Sequence, residues 1–424
     1  MRIYFSGLGG VGIGPLAEIA ADAGYLVVGS DLSESPVTQQ LRQRGVTVHI
    51  GQDGSALQAE HDSQPIDWFV YTSALPADHP ELVLAGTLGI RTSKRDELLA
   101  EIIRIRNLQL IAVAGTHGKT TTTAMVTWLF QRFEQPVSYS VGAPVSFGPS
   151  GLFNAASRYF VYECDEFDRN FLHYHPRIAG IVSVDYDHVD TYPTREDYKQ
   201  AFRDFITRSD TTYLWEADAA YFAAAGLPGV RPLGKDPLLD DIRLPGEHYR
   251  RNAMIAISIV NQATGISLEA LKAAIADFPG SSRRFERLAE NLYTDYGHHP
   301  VEITAVMQMA AELNEHVVLV YQPHQNRRQH ELRAEYADCM MKAERIYWLP
   351  TYLSREDPAL PVLSPAELIA GLQNRAAAVP AEMDDALWQE ISQARAAGKL
   401  VIVMGAGNVD GWVRQKAAGL TAGA

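Results

Sequence analysis

The apolar run Leu108-Gln109-Leu110-Ile111-Ala112-Val113 leads directly into Ala114-Gly115-Thr116-His117-Gly118-Lys119-Thr120, and a helical pattern follows from Thr120 to Phe130. A buried strand, a glycine-bearing loop ending in Gly-Lys-Thr, and a helix in this order constrain the fold more than any other stretch of the chain. A largely apolar run suits a strand covered on both faces of a parallel sheet. Glycines let the loop backbone approach an anion, and the helix N-terminus turns unpaired N–H groups and positive dipole charge toward phosphate oxygens. Lys119 then reaches the terminal phosphates of a nucleotide, and the Thr120 hydroxyl can ligate Mg²⁺. The pattern falls short of the full phosphate-loop motif, because Val113 stands where its first glycine belongs. Ala124, Met125, Trp128 and Leu129 form the expected buried face of the helix.

A second glycine loop lies at the start of the chain. Arg2–Ser6 reads as a strand, Gly7-Leu8-Gly9-Gly10-Val11-Gly12 as a loop, Pro15 to Ala23 as a helix stopped by Gly24, and Tyr25–Gly29 as a second strand. A strand, helix and strand in so few residues imply a parallel βαβ unit. Asp31 follows Gly12 by 19 residues, the spacing of a dinucleotide site. Spacing alone favours NAD, with another diphosphate nucleotide or an unliganded turn as the other readings. Further strands are expected at Val46–Ile50 and Trp68–Tyr71.

Two acidic clusters follow later strands. Glu163, Asp165, Glu166 and Asp168 end the strand Tyr159–Glu163, and Asp185, Asp187, His188 and Asp190 end the strand Ile178–Val184. Carboxyl ends of parallel strands meet at one sheet edge, here the edge bearing the phosphate loop. Oxygen ligands there suit Mg²⁺. Some of these acids, Asp165 and Asp168 among them, can equally be helix caps. Beyond Phe278-Pro279-Gly280 the chain offers Arg283-Arg284-Phe285, Asp295-Tyr296-Gly297-His298-His299-Pro300 and Gln322-Pro323-His324-Gln325-Asn326-Arg327-Arg328. Paired His-Pro turns and guanidiniums suggest an anion-binding face, with His299 and His330 read as hydrogen-bonded loop residues. Strands are expected at Leu292–Asp295, His316–Tyr321, Arg345–Leu349 and Leu400–Met404.

The 424 residues therefore divide into three α/β blocks: 1–105, 106–282 and 283–424. The balance of 37 basic against 51 acidic residues, net −14, argues against binding nucleic acid or anionic membranes. Two cysteines, Cys164 and Cys339, are too few for a disulfide framework and fit a reducing compartment. The N-terminus is no signal peptide, and no run nears the ~20 apolar residues of a membrane span. A cytoplasmic protein is expected, with a frayed Ala-rich tail from Ala417.

Nine motifs occur in one order: Gly7-x-Gly9-Gly10-x-Gly12, Gly29-Ser30-Asp31, Ala114 to Thr122, Glu163-x-Asp165-Glu166-x-Asp168, Asp187-His188-x-Asp190, Arg283-Arg284-Phe285, Asp295 to Pro300, Gln322-Pro323-His324 and Gly405-Ala406-Gly407-Asn408. This series resembles the Mur ligases nearly end to end. The resemblance implies a Rossmann-like N-terminal domain for a UDP-sugar, a central phosphate-loop ATPase domain, and a Rossmann-like C-terminal domain for an amino acid. It moves the first glycine loop from NAD to a UDP diphosphate, held by Gly9, Gly10, Val11, Gly12 and Asp31, with Ser73 of Tyr71-Thr72-Ser73-Ala74 nearby.

The implied activity is ATP-dependent amide formation between an amino acid, L-alanine first, and the carboxylate of UDP-N-acetylmuramate, through an acyl phosphate, in peptidoglycan precursor synthesis. ATP and Mg²⁺ are the implied cofactors, and a monomer or homodimer is expected. By matching positions, Gly115, Thr116, His117, Gly118, Lys119, Thr120, Thr121, Asn252, Arg284 and Asp295 bind ATP. Asn252 would face adenine and Asp295 the ribose. Thr120, Glu163 and His188 would hold metal, and Tyr296, His298, His324 and Arg328 would surround the amino acid. Lys119, Glu163, His188, Arg284 and His298 form the implied catalytic set. With the loop taken as exposed, Lys119→Ala should abolish turnover and leave the fold intact.

Four departures stand out. Tyr249 replaces the first Asn of the family's adenine loop, and Ser183 the Asn before the Asp-His motif. Gln325 replaces the Arg after Gln-Pro-His, and Arg327 stands at a small hydroxyl position, where it could compensate. The stretch from Thr211 to Pro245 is also short for the family. Other readings are a ligase that joins a preformed tripeptide to UDP-muramate, a nucleotide-binding paralogue that no longer ligates, and an NAD-linked oxidoreductase. The last leaves the phosphate loop unexplained.

Overall fold

The computed structural model describes residues 1–10, 12–72, 75–186, 191–234, 241–354 and 356–421. Three sheets carry the chain. The first holds β1 (Arg2–Ser6), β2 (Leu26–Asp31), β3 (Thr47–Ile50), β4 (Trp68–Tyr71) and β5 (Arg91–Lys94), in the spatial order β3-β2-β1-β4-β5. All four pairings are parallel. The order reverses between β1 and β4, and ligands of such sheets bind where their loops part. The loop after β1 is the first glycine loop. The helix expected from Pro15 begins two residues earlier, as Ile13–Asp22, because Gly14 N already donates to Gly10 O. Strand β2 starts later than expected. Tyr25 N still donates to Ala20 O, and so closes the helix rather than opening the strand.

The second sheet holds β6 (Gln109–Ala114), β7 (Val137–Ser140), β8 (Gly151–Leu152), β9 (Tyr159–Glu163), β10 (Ile178–Ile181), β11 (Thr212–Trp215) and β12 (Val230–Leu233). Its order is β12-β11-β10-β6-β9-β7-β8, parallel except for β8. Strand β6 lies inside, flanked by β9 and β10, which brings the carboxyl ends of all three beside the loop 115–118. The helix Lys119–Arg132 is buried along most of Thr120–Phe130, and not only on the expected face, while Trp128 is half-exposed. The shortened stretch after Thr211 keeps two strands, β11 and β12, at the sheet edge.

The third sheet holds β13 (Glu286–Ala289), β14 (Leu292–Asp295), β15 (Val317–Tyr321), β16 (Arg345–Trp348), β17 (Ala378–Pro380) and β18 (Leu400–Met404). Its order is β13-β14-β18-β15-β16-β17, with only β13 antiparallel. Central strands β15 and β18 are buried throughout. The tail does not fray at Ala417: the helix Val409–Thr421 continues through it, with Val409, Val413 and Ala417 in the core under β18. Apolar spacing at i, i+4, i+8 explains why an Ala-rich end stays helical.

The chain forms two compact units, Met1–Ile242 with Asn252–Pro279, and Arg243–Arg251 with Gly280–Ala424. The first unit holds the first two sheets on one shared core. Ile3, Phe5, Trp68 and Leu99 of one meet Leu110, Phe160 and Tyr162 of the other in a single cluster. Polar side chains seal the seam. Glu18, 4 % exposed, accepts from Gly151 N at 3.2 Å and from Gln40 Nε2 at 2.8 Å, and Tyr162 OH donates to Asp96 Oδ1 at 2.9 Å. Gly151 is required here, since a Cβ would stand 2.2 Å from Pro15 O.

Candidate functional site

The phosphate loop is built on backbone that only glycine adopts without strain. Gly115 and Gly118 have φ of +127° and +84°. A Cβ on Gly115 would lie 2.7 Å from Ser183 O, and one on Gly118 would lie 2.9 Å from Val182 Cγ1 and 3.0 Å from the Asn252 amide. The loop leans on the chain after β10. Thr116 N donates to Ser183 O at 2.9 Å, and His117 N to Ser183 Oγ at 3.0 Å. The Thr116 hydroxyl bonds the backbone of Asp185 and meets Tyr198 OH at 2.7 Å. His117 Nε2 lies 3.5 Å from Asp185 Oδ2.

Two carboxylates from the end of β9 reach the loop's working groups. Lys119 Nζ donates to Glu166 Oε2 at 2.8 Å and to Gly115 O at 2.6 Å. Glu166 is fully buried and the Lys119 side chain is 14 % exposed. Burial pulls the ammonium's pKa down, but the charges of Glu166, Asp165 and Glu163 outweigh it, and the net direction is up. The lysine therefore stays charged. Thr120 Oγ1 donates to Glu163 Oε1 at 2.9 Å, and Gly142 N to Glu163 Oε2 at 3.1 Å. Asp165, one residue before the N-cap of the 3₁₀ turn Phe167–His173, accepts from Phe167 N at 3.1 Å. A hydroxyl and a carboxylate in contact beside a phosphate loop are the hard oxygen donors Mg²⁺ takes. Among the described residues no three His, Cys, Asp or Glu side chains gather as a ligand set. His188, with Asp187 and Asp190, lies outside the described residues, as do Val11 and Ser73.

At the first glycine loop, Gly9 N donates to Asp31 Oδ2 at 2.7 Å, so Asp31 braces the loop. Below it, a fully buried Glu81 accepts from Ser6 Oγ at 2.6 Å, Ser30 Oγ at 2.9 Å and Tyr4 OH at 2.9 Å. These hydroxyls fix the ends of β1 and β2, from which the loop and Asp31 depart.

In the second unit the chain bends sharply at Arg284. Arg283 and Phe285 on either side have φ of +58° and +49°, uncommon for residues with a side chain. Both Arg283 and Arg284 place their guanidinium over the Tyr296 ring, at 4.6 and 5.0 Å. Asp295 accepts from Phe285 N at 2.7 Å and Gly297 N at 2.6 Å. Burial raises its pKa to about 6 against the opposing pull of Arg284 and these two N–H groups. His298 stands edge-on to Tyr296 and to His324, with ring centroids at 5.4 and 5.6 Å, and His324 stacks on Tyr352 at 5.8 Å. Burial pushes the His298 pKa down to about 4, despite Glu302 nearby, so its imidazole is neutral at physiological pH. Its ring Nδ1 lies 3.1 Å from Tyr296 O.

Three family models match the chain in succession: Mur ligase family, catalytic domain, over residues 2–106; Mur ligase middle domain over 113–226; and Mur ligase, glutamate ligase domain, over 283–407. The chain belongs to the Mur ligase family. It is an ATP-dependent ligase of three α/β domains. It is similar in structure to UDP-N-acetylmuramate-alanine ligase from Thermotoga maritima, at 22% identity over 100% of both chains with a TM-score of 0.79. It is also similar to a murein peptide ligase from Psychrobacter arcticus, at 22% identity over 99% of both chains with a TM-score of 0.67. A third likeness is to UDP-N-acetylmuramate:L-alanyl-gamma-D-glutamyl-meso-diaminopimelate ligase from Neisseria meningitides, at 23% identity over 65% of this chain and 98% of that one with a TM-score of 0.57. At such identities the likeness is one of fold.

Three of the residues that depart from the Mur ligase pattern have defined partners, and the structure offers no explanation for Gln325. Ser183 both accepts from His117 N and donates to His117 O, each at 3.0 Å, so it clasps the phosphate loop. Tyr249 donates its hydroxyl to Arg284 O at 2.7 Å. Arg327 is exposed and its Nε pairs with Glu331 Oε1 at 2.8 Å, whereas the positive charge bearing on His298, Tyr321 and Tyr336 is that of Arg328. Helical phase explains the difference, since adjacent residues point about 100° apart. His299 is a loop residue as expected and caps the helix Pro300–Leu313, whereas His330 lies not in a loop but in the helix Asn326–Glu331, its Nε2 bonded to Pro361 O at 2.9 Å. Sequence reasoning did not single out Glu166 from its neighbouring acids, nor Tyr352, which lies in no motif.

Proposed function

We propose that this Mur ligase joins a single amino acid, L-alanine foremost, to the carboxylate of UDP-N-acetylmuramate in peptidoglycan precursor synthesis in the cytoplasm. The observation that carries this reading is the pair of contacts Lys119–Glu166 and Thr120–Glu163, which set a cation and an oxygen donor pair at one phosphate loop. We assign residues 1–105 to the UDP-sugar, 106–282 to ATP and 283–424 to the amino acid. Gly9, Gly10, Val11, Gly12, Asp31 and Ser73 serve the UDP-sugar, and Asn252, Arg284 and Asp295 the nucleoside.

A carboxylate is a poor electrophile toward an amine, so the acid must first be activated. The muramoyl carboxylate attacks the γ-phosphorus of ATP, the bond to the bridging oxygen breaks, and ADP leaves with the electron pair. The amino acid's amine then attacks the acyl carbon, and inorganic phosphate departs from the tetrahedral intermediate. Lys119 neutralises charge on the transferring phosphoryl group. Thr120 and Glu163, with His188, would hold Mg²⁺, which supplies screening between two anions. Arg328 would take the amino acid's carboxylate, a planar partner for a guanidinium. Tyr296 and His324 line the same side, and neutral His298 can accept the proton the amine sheds.

The peptide ligases among the similar folds favour a second reading, in which a preformed tripeptide replaces the single amino acid. Purified protein with Mg-ATP and UDP-N-acetylmuramate, given each amino acid or the tripeptide in turn, separates the two by phosphate release. Alanine-dependent release is expected. Release with tripeptide alone selects the second reading, and none with any acceptor leaves a nucleotide-binding paralogue.

A further inference from the structure

Within the first unit a cavity of about 200 Å³ is lined by Gly12, Arg95, Ser140, Tyr162, Glu163 and Asp165, with apolar side chains beneath. Its two ends are chemically distinct. Gly12 closes the first glycine loop, the diphosphate end. Glu163 is bonded to Thr120 of the phosphate loop, the phosphoryl-transfer end. A substrate tethered by a diphosphate at one end and phosphorylated on a carboxylate at the other has to run through this space. Two of its walls, Glu163 and Asp165, are carboxylates that repel such a group, so a cation must offset them there.

Arg95 meets that need. It is the first residue of the helix Arg95–Ile105, and its Nη1 lies 2.2 Å from where a Cβ on Gly12 would stand, so the guanidinium sits directly against the end of the first glycine loop. Its Nε is 3.6 Å from Asp96 Oδ1, too long for a hydrogen bond. Asp96 is in any case engaged by Tyr162 OH at 2.9 Å. Asp96 thus steadies the arginine without saturating its planar fork, the geometry that receives a carboxylate in two parallel bonds.

We propose that Arg95 binds the carboxylate of the sugar-nucleotide acid before phosphorylation, an assignment that rests on the ligase reading above. One carboxylate oxygen is held by the guanidinium and the other is left to attack the γ-phosphorus. Arg95 itself gives up no proton.

The test uses the full chain, Arg95→Ala and Arg95→Lys, with UDP-N-acetylmuramate and UDP-N-acetylglucosamine, which shares the diphosphate and lacks the acid. Arg95→Ala should weaken binding of the muramate by about tenfold or more, the loss of a charge-assisted pair. Affinities for ATP and for UDP-N-acetylglucosamine should stay within about twofold, which also reports an intact fold. Arg95→Lys should fall between, and millimolar guanidinium ion should restore part of the turnover of Arg95→Ala. Unchanged KM and kcat in an active Arg95→Ala enzyme overturn the proposal, as does equal weakening toward both sugar nucleotides, which would place the contact on the diphosphate. Wild-type protein that binds UDP-N-acetylmuramate no better than UDP-N-acetylglucosamine and releases no ADP with it sinks the ligase reading itself, and the Arg95 role with it.

Discussion

Lys119 is less expendable than a lysine on an open loop. Its partner Glu166 is fully buried, and removing one member of a buried pair strands the other charge. Lys119→Ala should therefore abolish turnover and also cost about 3–5 kcal/mol of stability, which corrects the expectation that the fold would be untouched. Adding Glu166→Gln should recover much of that stability while leaving the enzyme inactive. Denaturant melts of the single and double variants decide it, and equal stability of wild type and Lys119→Ala would show the pair to be solvated. Two histidines of the second unit carry a pH consequence. Burial lowers the pKa of both His298 and His248 to about 4, below the ~6.5 of an unfolded chain. Between those values the unfolded state takes up protons that the folded state refuses, so stability falls as pH falls from 6.5 to 4. Asp295, with its pKa raised to about 6, acts in the opposite sense and offsets part of the loss. Replacing His248 with Gln should flatten the dependence measured by melts across that range.

At the level of strands and helices, the chain declares its interior and conceals its margins. Strands β1, β4, β9, β14 and β18 have the ends read from the sequence, because each is a short apolar run between turn residues. Strand β5 escaped notice because Arg91-Thr92-Ser93-Lys94 looks like a loop, and β17 because Pro380 ends it; both lie at sheet edges, where one face and one ladder are free of such demands. The phosphate loop was legible because glycine, lysine and threonine have few other reasons to occur in that order after a buried strand. Which acid grips Lys119 was not legible, since it depends on how the 3₁₀ turn after Asp165 aims Glu166. Arg95 opens a helix that carries no motif and gained meaning only from its place against Gly12. Two substitutions probe elements directly. Ile391→Ala, at a fully buried site under the third sheet, should cost about 2–5 kcal/mol. Gly151→Ala should be at least as damaging as overpacking commonly is, about 1–3 kcal/mol, because its Cβ meets the Pro15 backbone and neither chain is a flexible side-chain tip. A Gly151→Ala protein with wild-type melting would mean that the seam gives way freely.

For the molecule as a whole, two compact units argue against a single all-or-none unfolding transition. Calorimetry should resolve two endotherms, with Ile391→Ala lowering one and Gly151→Ala the other; one endotherm shifted alike by both variants would contradict that division. Mg-ATP stabilises whatever state it binds, so it should raise the endotherm that Gly151→Ala lowers, and Lys119→Ala should cancel the shift. The seam at Gly151 also bears on how this gene can be cut. The first 105 residues look like a free-standing nucleotide-binding module, yet Leu99, Ile3 and Glu18 finish their packing on residues encoded later. Expressed alone, that fragment would bare a greasy face with a carboxylate in its midst, and it should precipitate or be degraded, whereas a longer piece reaching Pro279 should stay in solution.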